Sequence, residues 1–181
     1  MIYLPKRALF IHIPRTAGHS ITNAIASECA GNNYDILIST NPNLRMGMGH
    51  WSYPIQGHST ASMLKKALPD HEWDNIFKFA IYRPEEERLN SVIRLVERDI
   101  SQKTYEHPAC DEGWKRVLIN ENARNRFYEN FKRQDLDYFI KRNGEDLGIE
   151  TFNFDELTDV WNEICDKCNI PRCHIKHLNK G

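Results

Sequence analysis

Arg15, Thr16, Gly18, His19 and Ser20 stand where an apolar run gives way to a helix-like run, in LFIHIPRTAGHSITNAI (9–25). A strand-to-helix junction turns several backbone N–H groups outward, and the helix dipole adds partial positive charge there. These residue types suit an anion. Arg15 offers a rigid charged fork, Thr16 and Ser20 offer hydroxyls, and the amides from Arg15 through Ala17 to Ser20 complete a cradle. The string GxxxxGK[ST] is absent and this loop holds no lysine, so magnesium-bound nucleoside triphosphate is not supported. An ordinary strand–turn–helix with Ser20 and Thr22 exposed would use the same letters.

FAIYRPEEERLNS (79–91) has the same layout. Arg83 falls where a strand ends, and Ser91 lies about two turns into the next helix. Both are placed to reach a phosphate at the C-terminal edge of an open α/β sheet, where such sheets bind ligands. Arg88 is expected to pair with surface glutamates such as Glu85. Between the two junctions, NPNLRMGMGHWSYPIQGH (41–58) has three glycines, two prolines and no period, which makes it a long loop ending on His58. A histidine has an unperturbed pKa of about 6.5 and suits general-base work near neutral pH. His50, beside Trp51 in the same loop, competes with His58 for that role.

The elements that must position these residues follow from periodicity. ALFIHI (8–13), YDILIST (34–40), IFKFAIY (76–82) and ETFNF (150–154) read as strands. Helical spacing appears over 18–29, 59–68, 85–100, 122–142 and 155–168. Pro84 at a first helical position, followed by Glu85, Glu86 and Glu87, is a strong start signal. Strand and helix alternate without repeats, so one α/β domain over 1–181 is expected, with a central, mainly parallel sheet flanked by helices.

Composition narrows the function classes. The chain has 181 residues, 40% of them hydrophobic and 27% charged, with a formal charge of −1. That balance lacks the basic surplus of a nucleic-acid binder. The opening MIYLPKRALFIHI is broken by Pro5, Lys6, Arg7 and His12, and resembles neither an export signal nor a membrane span. A cytoplasmic protein without a membrane partner is expected. Its five cysteines are then expected to be free thiols. CDKCNIPRCHIKH (165–177) lacks a second pair at zinc-finger spacing, so no metal is expected.

FIHIPRTAGHSI resembles the 5′-phosphosulfate loop of the carbohydrate-type sulfotransferases, FxHIPKTAGTS. WDNIFKFAIYRPEEERLNS is similar to their 3′-phosphate motif, FKFAxVRNPxxRLVS. GHSTASMLKKAL, FNFDEL and HIKHLNKG resemble, in order, that family's His-containing, FENL and LPHLNKS stretches. Arg15 stands for the motif lysine, His19 for a hydroxyl, and Pro84–Glu85 for Asn-Pro. The chain is expected to be C-terminally short for the family.

The resemblance implies a P-loop-like three-layer fold that binds 3′-phosphoadenosine 5′-phosphosulfate (PAPS, product PAP) and needs no metal. It implies that Arg15, Thr16, Ala17, Gly18, His19 and Ser20 hold the 5′-phosphosulfate, and that Arg83 and Ser91 hold the 3′-phosphate. His58 becomes the general base, Arg15 the group that stabilises the leaving phosphate, and the acceptor a hydroxyl, by family default on a saccharide. A non-catalytic PAP/PAPS-binding protein and, more remotely, a small-molecule kinase are the other readings. Acceptor and oligomeric state are not legible.

Overall fold

The first thirteen residues build two strands where periodicity suggests one. Ile2–Leu4 (β1) and Ala8–Ile11 (β2) pair antiparallel, with Ile2 opposite Phe10 and Leu4 opposite Ala8. Pro5 ends β1, and Lys6, at φ 60°, turns the chain so that the Arg7 N–H reaches the Leu4 carbonyl at 3.0 Å. The computed structural model describes residues 1–31, 37–38 and 58–175. Their order continues with Gly18–Gly31 (α1), Leu37–Ile38 (β3), Ala61–Ala67 (α2), Asp70–Asn75 (α3) and Phe77–Tyr82 (β4). Glu85–Ser101 (α4), a 3₁₀ turn at Thr104–Glu106, Glu112–Ile119 (α5), Glu121–Lys132 (α6) and Leu136–Ile140 (α7) follow. Lys141–Arg142 (β5), Glu145–Asp146 (β6), Glu150–Asn153 (β7), a 3₁₀ turn at Phe154–Glu156 and Leu157–Lys167 (α8) complete them.

The described residues divide into two compact units, one from Met1–Arg83 with those from Leu136 onward and the other from Pro84–Asp135. The first holds a five-stranded sheet in the order β3-β1-β2-β4-β7. β2 pairs parallel with β4, and β4 with β7, while β1 runs antiparallel to both its neighbours. Four strands therefore point one way and β1 alone opposes them. The sheet is mixed but mostly parallel.

Helices cover both of its faces because side chains alternate across each strand. Ile2, Leu4, Ala8, Phe10, Phe79 and Ile81 pack with α1 through Ile21 and Ile25, and with α8 through Trp161 and Ile164. Tyr3, Leu9, Ile11 and Ala80 meet Leu64 of α2, Trp73 of α3 and Phe139 of α7. Lys78 is the polar exception inside β4. Only 9% exposed, it donates to the Trp73 carbonyl at 2.7 Å and the Ile76 carbonyl at 3.1 Å, while burial lowers its pKa. It caps the carbonyl end of α3.

The helix expected over 122–142 is interrupted. Phe127 and Phe131 lie on α6 in the second unit, whereas Leu136, Phe139 and Ile140 lie on α7 in the first. Residues 141–146 then form a β5–β6 hairpin, with Asn143 at φ 51° and Gly144 at φ 82°. Two positive φ values in succession are what a tight two-residue hairpin requires.

In the second unit, the Trp114 indole N–H donates to Asp99 at 3.1 Å, and Trp114 stacks edgewise on Phe127. Arg88 is buried in this unit and not on the surface, although the Glu85 and Asp135 charges still act on it. Its guanidinium sits 5.0 Å from the Phe131 ring centroid and donates to the Gln134 carbonyl at 2.9 Å. Pro84 occupies the N-cap of α4, one position before the helix that the sequence reading had it begin.

Candidate functional site

β2 ends at Ile11 and α1 begins at Gly18, so the chain reverses from strand to helix within six residues. Two of them take the left-handed conformation: Arg15 at φ 68° and Ala17 at φ 63°, with Thr16 between them and Gly18 after them outside that region. Neither is glycine, and left-handed backbone costs an L-residue about 1–2 kcal/mol. Anion-binding concavities arise where left-handed residues alternate with right-handed ones and turn successive N–H groups toward one point, which makes this turn a candidate for one. The first N–H groups of α1, which have no intrahelical acceptor, open toward the same end of the helix.

Local contacts hold this turn. The Thr16 hydroxyl donates to the Ile13 carbonyl at 2.8 Å, and Thr16 is fully buried. Its hydroxyl therefore serves the turn itself, which leaves the backbone N–H as the donor Thr16 can offer an anion. Ala17 packs its methyl against the α1/α8 core. Arg15 and Ser20 are half-buried and His19 is exposed.

Gly18 is required by a neighbour as well as by the turn. A Cβ at this position would lie 1.7 Å from His12 Nε2, inside the imidazole ring. The ring lies directly on the glycine and stacks on Phe10 at 5.9 Å. His58 closes the other side, 4.4 Å from His12 between centroids, and its Nδ1 lies 3.1 Å from the His12 carbonyl oxygen. His19 approaches His12 edge-on at 6.0 Å. A carbonyl oxygen only accepts, so the contact puts a proton on His58 Nδ1 and leaves the lone pair of the neutral ring on Nε2. His58 is exposed, and Thr60, not His58 or Ser59, caps α2. His12 is the site residue that sequence reasoning missed.

Burial, reinforced by His58, the N-terminus and His19, pushes the His12 pKa down to about 2. A base depressed in the folded state contributes stability that is intact above its unfolded pKa of about 6.5. That contribution is lost as pH falls from there toward 2. Each pH unit below 6.5 removes about 1.4 kcal/mol while only the unfolded chain binds the proton. Urea unfolding between pH 6.5 and 5 should therefore show a loss of about 2 kcal/mol in the parent that His12→Asn lacks. Identical slopes in the two proteins would mean that His12 is not held neutral.

Arg83 leaves β4 at the same sheet edge. β2 and β4 are adjacent and parallel, with Ile11 opposite Ala80, so the Arg15 turn and Arg83 both follow C-terminal strand ends. The Arg83 guanidinium sits 4.6 Å from the Phe154 ring centroid, just beyond β7. A guanidinium at this distance from an aromatic face makes a cation–π contact, which ties Arg83 to Phe154. Ser91 is buried in α4 and belongs to the second unit, whereas Arg83 is the last residue of the first. His50 and the rest of the 41–57 loop lie outside the described residues.

No family model, curated protein or solved structure matches this chain. The site is therefore read from its own geometry. Among the described residues, no cluster of three or more His, Cys, Asp or Glu side chains is arranged to hold a metal ion. No described helix is long and apolar enough to cross a membrane.

Proposed function

We propose that the chain binds PAPS and transfers its sulfuryl group to a hydroxyl, with a saccharide as the acceptor class. The observation that carries this reading is the strand-to-helix turn at Arg15–Gly18, with left-handed φ at two residues that are not glycine. Strain of this kind persists where surrounding structure enforces it, and it concentrates at ligand sites. The turn is P-loop-like in position, between a sheet strand and its helix. It fits a phosphosulfate held by backbone N–H groups with Arg15 alongside.

When bound, PAPS supplies a sulfuryl group on a phosphate leaving group. The chain's own residues then have separable tasks. Arg15 stabilises negative charge that develops at the 5′-phosphate, and its fixed charge needs no proton transfer to do so. His58 accepts the acceptor's hydroxyl proton at Nε2, with its tautomer set by the His12 carbonyl. His12 stays neutral and fills the space over Gly18, so no second positive charge opposes protonation of His58. Arg83, oriented by Phe154, binds the 3′-phosphate.

The test begins with binding. PAP should bind more tightly than AMP, and Arg83→Ala should remove most of that preference. The expected loss is about 1.5–3 kcal/mol, as for a charge-assisted hydrogen bond. Equal affinity of the parent for PAP and AMP in calorimetry would dismiss the 3′-phosphate assignment. Radiolabelled transfer from PAPS to a saccharide panel tests turnover. Binding without transfer to any acceptor would favour a non-catalytic PAP-binding protein, and magnesium-ATP binding in place of PAP would favour a kinase.

A further inference from the structure

Cys165 and Cys173 are eight positions apart, yet their sulfurs lie 4.0 Å from each other. Cys165 is fully buried on α8, against the sheet, while Cys173 is partly exposed on the segment that follows the helix. Two further contacts hold that segment in place. The Ile170 N–H reaches the Cys165 carbonyl at 3.1 Å, and the Trp161 indole N–H donates to the Cys173 carbonyl at 2.7 Å. A disulfide needs its sulfurs about 2.05 Å apart, so each would move by about 1 Å. Cys168 is also buried in the same core.

We infer that Cys165 and Cys173 form a thiol–disulfide modification site, oxidised by a small disulfide that enters at Cys173. The inference is independent of the sulfotransferase reading. The thiol–thiol hydrogen bond supports it: one proton is shared, lowering the Cys165 pKa to about 7 and raising that of Cys173.

From this singly ionised pair the chemistry balances with a disulfide RSSR as oxidant. The shared proton passes to Cys165 as the Cys173 thiolate attacks RSSR, forming Cys173–S–SR and expelling RS⁻. The released thiolate takes the proton from Cys165 and becomes RSH. The Cys165 thiolate then attacks Cys173 Sγ and expels the second RS⁻. Two cysteine sulfurs are oxidised and one small disulfide is reduced. The product fastens the segment after α8 to the helix.

The test uses the full chain, exposed to glutathione disulfide at neutral pH, alkylated without reduction and digested with trypsin. Cleavage after Lys167, Arg172 and Lys176 puts Cys165, Cys168 and Cys173 on three separate peptides. The expected result is a peptide pair joined through Cys165 and Cys173, recovered from monomeric protein and lighter by two hydrogens than its reduced parts. Cys165→Ser should then accumulate a lasting glutathione adduct at Cys173, at least tenfold above the parent. The site is overturned if Cys173 is recovered as free thiol, if its adduct persists in the parent, if it links to Cys168, or if the bridge occurs only between chains.

Discussion

His58→Ala is expected to bind PAP as the parent does and to transfer sulfuryl groups at least a hundredfold more slowly. A general base contributes about 10²–10⁴-fold to rate, and the His58 ring contacts His12. The parent's rate should also fall as pH drops through the pKa of the base. His58→Gln keeps a side chain near the His12 carbonyl but cannot accept a proton at neutral pH, and should be as slow. Undiminished transfer in both variants, beside a crippled His50→Ala, would place the base at the other end of the loop. Full activity in all three would end the histidine mechanism.

Gly18→Ala should produce the largest loss of the native site. Its methyl would sit 1.7 Å from His12 Nε2, so the whole ring must leave the position it shares with Phe10 and His58. Overpacking of this kind costs about 1–3 kcal/mol, and here it also displaces the turn that directs the Arg15–Gly18 amides. PAP binding should weaken together with stability. A second substitution identifies the cause: with His12→Ala in the background, Gly18→Ala should become markedly cheaper. Urea unfolding of the four proteins measures this coupling. Additivity to within about 0.5 kcal/mol would show that ring and methyl do not compete for the same space.

Periodicity located most sheet strands and the flanking helices, because buried parallel strands and amphipathic helices write themselves into apolar spacing. It failed where a local signal competed with it. The run through Phe127, Phe131, Leu136 and Phe139 looked like one helix, but the five-residue step from Phe131 to Leu136 breaks a 3.6-residue repeat. Asn143–Gly144 is itself a hairpin signal, and it overrides helical propensity there. Pro5 interrupts the apolar run, and it does so by ending one strand so that another can turn back on it.

At the site, the strand–turn–helix and the two arginine positions were legible, since both follow apolar runs. The left-handed residues were not, because Arg15 and Ala17 carry no mark of the conformation that glycine or asparagine would have carried. His12 looked like a polar break in a strand. The clue was its place, six residues before a glycine in a turn that needed a flat partner. Thr16 could not be told from an outward hydroxyl until its bond to the Ile13 carbonyl was seen.

The reversed strand β1 also bears on how the sheet can assemble. Joining Leu4 to Ala8 closes a loop of three residues, whereas joining Ala8 to Phe77 brings together positions about 70 residues apart. By chain-closure entropy the second pairing is dearer by about 3 kcal/mol before any contact is made. Parallel neighbours always face this handicap, since no tight turn can connect them. β1 leaves that closure cost unchanged but gives β2 a partner from its own vicinity, so that β2 meets β4 with its own backbone already ordered. A short strand that carries no proposed site residue thus lowers the entropic barrier to forming the edge on which the Arg15 turn sits.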